Sequence, residues 1–224
     1  MSKRLRAPAY GDRKQRRRKR AYLRRPLSAG TLGKKLKQRF KYVTKIRLDA
    51  GISTPSGHVF SANGLYDPDI TGTGHQPMGF DQLVGVFYQH YTVLSSVIKV
   101  TAISTGASST PSSGSGIITV EPNGSVSLDT DIYDILERGK ASNAVFNCAD
   151  GGPAVTTLTK KCSIGSFLSQ NVMQEDANAG TESANPTEQV YWHINTQAVD
   201  EITNPAIVNC LVEIWYDVIL HEPT

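Results

Sequence analysis

Cysteine is scarce and badly placed for pairing: Cys148, Cys162 and Cys210 lie far apart, odd in number, with no CxxC among them. That pattern argues against a disulfide framework or a zinc site and predicts buried free thiols in a reducing compartment. Long apolar runs are missing as well. None approaches the roughly 20 residues that span a bilayer, and the N-terminus lacks the apolar stretch of a secretory signal. The expectation is a soluble, intracellular protein while it is being made. The five histidines, His58, His75, His90, His193 and His221, form neither HxH nor HExxH, and no GxSxG, Walker loop or GxGxxG occurs. Metalloenzyme, acyl-transfer and nucleotide-dependent chemistry therefore have no visible residue set. No catalytic residue, metal or cofactor is expected, and the chain is not read as an enzyme.

The other shortage is regional. After residue 47 the chain has only five basic residues, Lys99, Arg138, Lys140, Lys160 and Lys161, against nineteen acids. Before it stand nineteen Lys or Arg and one acid, Asp12. The net charge is thus +18 on the first part and −14 on the second, and the total of +4 conceals the split. A run such as Arg13-Lys14-Gln15-Arg16-Arg17-Arg18-Lys19-Arg20 repels itself and builds no core. It needs a polyanion, and nucleic acid is the obvious one, because each neutralised phosphate releases a counterion whatever the base sequence. Two basic blocks, Lys3-Arg4 and Arg16-Arg17-Arg18-Lys19-Arg20, also fit a nuclear localisation signal read by import receptors. The arm has no apolar face to insert into a membrane.

From Phe40 the pattern changes. Phe40, Tyr42, Thr44, Ile46 and Leu48 alternate with Lys41, Val43, Lys45, Arg47 and Asp49, which predicts a half-buried strand with one basic face. Further strands are predicted at 58–62, 91–104, 116–121, 154–163, 189–196 and 206–220. The last is the clearest, with Val208, Cys210, Val212, Ile214, Tyr216, Val218 and Leu220 on one face and Asn209, Glu213 and Asp217 on the other. Leu94, Ile98 and Val100 are expected to share the core face of their strand. Turn residues fill the gaps at Asn63-Gly64, Gly72-Thr73-Gly74, 111–114, Pro122-Asn123-Gly124 and 151–153. Only 129–138, opening at an Asp or Thr cap, and 80–88 suggest helix. Residues 174–188 are polar and acidic with little strand character. The composition predicts a disordered basic arm, 1–39, ahead of one all-β domain, 40–224, built as a sandwich or barrel.

The segments Asn63-Gly64-Leu65-Tyr66-Asp67-Pro68-Asp69, Gly74-His75-Gln76-Pro77-Met78-Gly79-Phe80-Asp81-Gln82 and Tyr88-Gln89-His90-Tyr91-Thr92-Val93 resemble capsid proteins of circular Rep-encoding single-stranded DNA viruses, the circovirus and cyclovirus group. Ser96-Val97-Ile98-Lys99-Val100-Thr101 resembles the strand that follows in that family. The basic arm and the closing Tyr216-Asp217-Val218 with Glu222-Pro223 fit it less specifically. The resemblance implies a single viral jelly roll of eight antiparallel strands, sixty copies in a T=1 icosahedral shell, and arms turned inward onto a circular single-stranded DNA genome. It also implies a place in the virion, passage through the host nucleus during assembly, and a host receptor that the residues do not name.

Under that reading the nucleic-acid contacts fall to Arg13, Lys14, Arg16, Arg17, Arg18, Lys19 and Arg20 without fixed geometry. Arg24, Arg25, Lys34, Lys35, Lys37 and Arg39, tethered near the first strand, are the better candidates for ordered phosphate contacts. Lys41, Lys45 and Arg47 add the strand's own face. Residues 74–82 read as a loop that positions the next strand and touches neighbouring subunits. Asp67-Pro68-Asp69 reads as a turn before it reads as a calcium site. Tyr191, Trp192, Trp215 and Tyr216 are expected in core or interface packing. RNA is an alternative cargo in recombinant particles, and the competing readings are a small RNA virus coat protein, a cellular nucleic-acid chaperone with a basic tail, and a cupin-like enzyme, for which clustered histidines are lacking.

Overall fold

The computed structural model describes residues 33–104, 115–147, 155–199, 202, 205 and 207–224. Leu32–Thr224 forms one compact unit. The expected arm before it, the turns at 111–114 and 151–153, and Cys148 lie outside the described residues. Nine strands are present among those described: β1 Lys35–Leu48, β2 Ser56–Ser61, β3 Tyr88–Ser104, β4 Ser115–Asn123, β5 Ser142–Asn147, β6 Val155–Ser163, β7 Ala179–Thr181, β8 Tyr191–Ala198 and β9 Val208–Pro223. Short helices α1 Phe80–Leu83, α2 Ile132–Glu137 and α3 Ile164–Leu168 fill connections. No described helix is long and apolar enough to cross a membrane.

Strand order defines the fold. One sheet runs β1-β9-β3-β6, with the short β7 added on β3, and the other runs β2-β8-β4-β5. Every ladder is antiparallel. The chain passes from sheet to sheet so that the first and last strands pair and β2 pairs β8. Two interlocked Greek keys of this order are a single jelly roll.

The period-two pattern of β9 explains how the sheets meet. Val208, Cys210, Val212, Ile214, Tyr216, Val218 and Leu220 are each at most 1% exposed. They pack in one cluster with Phe60, Ile118, Val120, Trp192 and Ile194 of the facing sheet. Burying an aliphatic side chain of this size contributes about 1.5–3 kcal/mol. Two polar tips are satisfied across the sandwich: Tyr216 Oη donates to the Ser61 carbonyl at 2.8 Å, and Trp192 Nε1 donates to Ser96 Oγ at 3.1 Å. Burial without such partners would cost more than the bonds return.

Several expectations shift. β1 starts at Lys35, five residues before Phe40, pairing Lys35 with His221 and Leu36 with Leu220. Gln38 stands in an apolar slot and hides the alternation there. In β3 the register slips between Val93 and Ser95, so Val93, 1% exposed, takes the core place expected of Leu94, which is only partly buried. A bulge of this kind adds one residue and reverses the facing on one side of it. Helix α3 and strand β5 were not expected. Residues 174–188 hold a 3₁₀ turn, Asp176–Asn178, and β7. They also supply Asn185, whose Oδ1 accepts from the backbone N–H of Tyr66 and Asp67 at 3.1 Å each. Gly64 makes room for it, since a Cβ there would stand 2.4 Å from Asn185 Cγ. Helix α2 opens on Asp131, whose Oδ1 accepts from the Tyr133 N–H at 2.8 Å, which is the expected kind of cap.

Candidate nucleic-acid interface

The outer face of the β1-β9-β3-β6 sheet, opposite the core, gathers charge of one sign. On β1 the side chains of Lys35, Lys37, Arg39, Lys41, Lys45 and Arg47 are exposed, while Phe40, Tyr42, Ile46 and Leu48 point inward. The ladder carries this face across β9 to Lys99 on β3, opposite Glu213, and to Lys161 on β6, opposite Val97. Eight cations thus share the face with two acids, Glu213 and Asp217. Lys99 and Lys161 escape a linear reading because nothing near them in sequence is basic on that face. The alternation of Lys99 with buried Ile98 and Val100 is the signal that places it.

The acids hold part of this array. Glu213 takes Lys41 Nζ at 2.6 Å on Oε1 and Lys99 Nζ at 3.2 Å on Oε2. The hydrogen bond from Lys41, reinforced by that from Lys99, holds the Glu213 carboxyl below its usual range. Asp217 stands 3.6 Å from Arg39 and accepts from Ser95 Oγ at 3.1 Å. Arg47 pairs with Asp49 at 3.3 Å. Lys35, Lys37, Lys45 and Lys161 have no carboxylate partner among the described residues. Lys34, also exposed, lies just ahead of the strand. Arg13, Lys14, Arg16, Arg17, Arg18, Lys19, Arg20, Arg24, Arg25, Lys3 and Arg4 lie outside the described residues.

The four large aromatics expected in packing divide. Trp192 and Tyr216 are fully buried, and Tyr191 is partly exposed at the start of β8. Trp215 is on the outer face, not in the core, with Lys41 Nζ 4.9 Å from the ring centroid. One residue of register separates it from its buried neighbours.

Two polar clusters elsewhere are braces. Asp69 is 4% exposed, lies 2.6 Å from His58 Nε2 and accepts from the Gly72 N–H at 2.9 Å, while His75 packs on the Tyr42 ring at 4.8 Å. Residues 67–69 form no turn, and Asp69 bridges Phe60 in an isolated antiparallel pair. Glu121, Asp129 and His193 bring ligand-type atoms within 4.8 Å of one another. Arg138 occupies that junction, donating to Glu121 at 2.9 Å and to both oxygens of Asp129 at 3.1 and 2.7 Å. Burial pushes Glu121 up, the Arg138 hydrogen bond pulls Asp129 down, and burial pulls His193 down. The cationic partner these carboxylates need is already in the chain.

Fold and face together define a jelly-roll domain with a polybasic sheet surface. No family model matches the sequence, and no curated protein matches it. Among solved structures, the chain is similar to an empty head of turnip yellow mosaic virus, 14% identical over 99% of this chain and 92% of that one, TM-score 0.44. It is also similar to a semi-empty VLP of giant freshwater prawn (Macrobrachium rosenbergii) nodavirus, 8% identical over 85% and 94%, TM-score 0.46. A third is mud crab tombus-like virus, 13% identical over 100% and 94%, TM-score 0.41. Likeness at this level is one of strand arrangement, and it lends nothing to the narrower resemblance to circular single-stranded DNA viruses. The jelly roll itself rests on the strand order described above.

Proposed function

We propose that this chain is a viral capsid protein that self-assembles into a shell and packages single-stranded nucleic acid on the basic face of its β1-β9-β3-β6 sheet and on the arm that leads into β1. The observation that carries this reading is continuity. The run of positive charge in residues 1–47 enters the folded body along one face of one edge strand, where Lys35, Lys37, Arg39, Lys41, Lys45 and Arg47 stand in a row. In the finer form of the proposal the shell is T=1 with sixty subunits and the cargo is a circular single-stranded DNA. Sixty arms of net +18 bring on the order of a thousand positive charges, matched to a genome of roughly a thousand phosphates. Lys3, Arg4 and Arg16-Arg17-Arg18-Lys19-Arg20 would carry the subunit into the host nucleus before assembly. The role is structural, with no catalytic step assigned.

Electron microscopy of the expressed protein, with nuclease-resolved analysis of its contents, is the test. Uniform closed particles holding nucleic acid support the proposal. DNA in particles purified from infected material supports the finer form, whereas RNA would transfer the chain to a small RNA virus. A protein that stays monomeric or in small oligomers while binding nucleic acid would instead be a chaperone, and the capsid reading would fall.

A further inference from the structure

Trp215 is a large apolar side chain set on the charged side of a sheet. Its counterpart Trp192 shows the ordinary solution, complete burial with Nε1 bonded to Ser96. An indole left partly in water forgoes hydrophobic stabilisation, so its surroundings decide what it is for. The ladder puts Trp215 between Lys41 on β1 and Val97 on β3, with Lys161 beyond Val97 in the same row. Strands about 4.8 Å apart make that row roughly 14 Å from Lys41 to Lys161. Along β9 its neighbours on this face are Glu213, held by Lys41 and Lys99, and Asp217, beside Arg39, and exposed Val43 lies opposite Glu213. Across the strands the pattern is an aromatic platform with a cation on either side.

We propose that Trp215 stacks an unpaired base, so that this sheet face takes single-stranded nucleic acid in preference to duplex. The inference rests on the nucleic-acid reading above and adds to it the residue that selects a single strand over a duplex. Lysines alone meet the phosphates of a single strand or a duplex alike. Bases in a duplex are already stacked and paired, and only a single strand presents a free π-face to an indole. Lys41 lies over the ring and is tethered to Glu213 in a partly exposed pair. An incoming base displaces that ammonium from the ring, and Lys41 stays paired with Glu213.

The chain has two tryptophans, and Trp192 is sealed in the core away from any ligand, so a ligand-induced change in tryptophan emission reports Trp215. Full-length protein is titrated with oligothymidylate and with a duplex of the same phosphate count, at about 0.3 M salt to weaken purely ionic binding. The expected result is quenching by the single strand and none by the duplex. Trp215→Leu should weaken single-strand binding by about 5- to 150-fold, the span of one base–aromatic stack, and leave duplex binding within about twofold. Blue-shifted Trp192 emission in that variant, as a buried indole gives, confirms its fold. Equal quenching by both ligands, or undiminished single-strand affinity in Trp215→Leu, overturns the inference. A Lys37→Glu/Lys45→Glu protein separates the two levels. If it binds both ligands as tightly as wild type, the basic face itself is wrongly assigned. If it binds weakly while Trp215→Leu does not, only the stacking fails.

Discussion

Replacing Glu213 by the isosteric Gln tests whether the β1-β9-β3-β6 face binds phosphates through its lysines. Glu213 engages two of them, Lys41 at 2.6 Å and Lys99 at 3.2 Å, so the substitution releases two ammonium groups and raises the net charge of the face by one. The cost to folding is small. Both lysines are more than a third exposed, and pairs of that kind contribute about 0–1 kcal/mol. The gain to binding is read from salt dependence. Each phosphate contact on a single strand adds about 0.7 to the downward slope of log K against log salt, so two new contacts steepen it by about 1.4. Over a tenfold fall in salt that slope amounts to about 25-fold tighter binding than wild type shows. Fluorescence anisotropy with a labelled single strand, at several salt concentrations, measures it directly. An unchanged or shallower slope in a folded Glu213→Gln protein would mean that these lysines face something other than phosphate.

Three further outcomes are expected. Ile214→Asp puts an unpaired charge among fully buried neighbours and should cost several kcal/mol, giving insoluble protein, whereas Glu213→Ala, one residue away and facing out, should remain soluble; like behaviour of the two refutes the register. Deleting residues 1–32 should leave a folded subunit that forms empty or poorly filled shells, because the arm opposes assembly by self-repulsion, whereas deleting 1–38 also removes the Leu36–Leu220 pairing and should lower the melting temperature; failure of the shorter deletion to assemble would give the arm a structural role. Burial lowers the pKa of His193 and His221, so the folded state resists their protonation. Their contribution is therefore complete above the ordinary histidine pKa near 6.5 and is lost as pH falls below it, at up to about 1.4 kcal/mol per pH unit for each group. Denaturant titrations from pH 7.5 to about 5 should show this loss, and His193→Gln should remove part of it; a flat profile would contradict the burial of both rings.

How far the sequence disclosed this follows from where its signals are local. The alternation of β9 is unbroken for seven inward residues, so its face, register and burial were legible. Ser142–Asn147 was not, because it is polar at both ends and gains its strand character from pairing with β4. The bulge after Val93 is equally silent, since Val-Leu-Ser-Ser offers apolar and small residues that suit either facing. For the interface, the lysines of β1 were legible as one strand's pattern. Lys99 and Lys161 join them only through the ladder, more than fifty residues away along the chain. Trp215 was expected in core or interface packing, and its alternation with Tyr216 and Ile214 is what puts it on the outer face. Whether it faces in or out turned on a single step of register.

The pairing of β1 with β9 also governs when the molecule can exist. β9 lies between β1 and β3, yet in synthesis it is the last of the three to emerge. Until it does, β1 and β3 have no common partner and the core has no floor. A ribosome therefore exposes the cationic strand for more than 150 residues of translation before the roll can close, and contacts of such sequence separation form slowly. A chain cut short just before residue 208 has every strand of the β2-β8-β4-β5 sheet but cannot join β1 to β3. An unfinished chain lacks the strand that joins them.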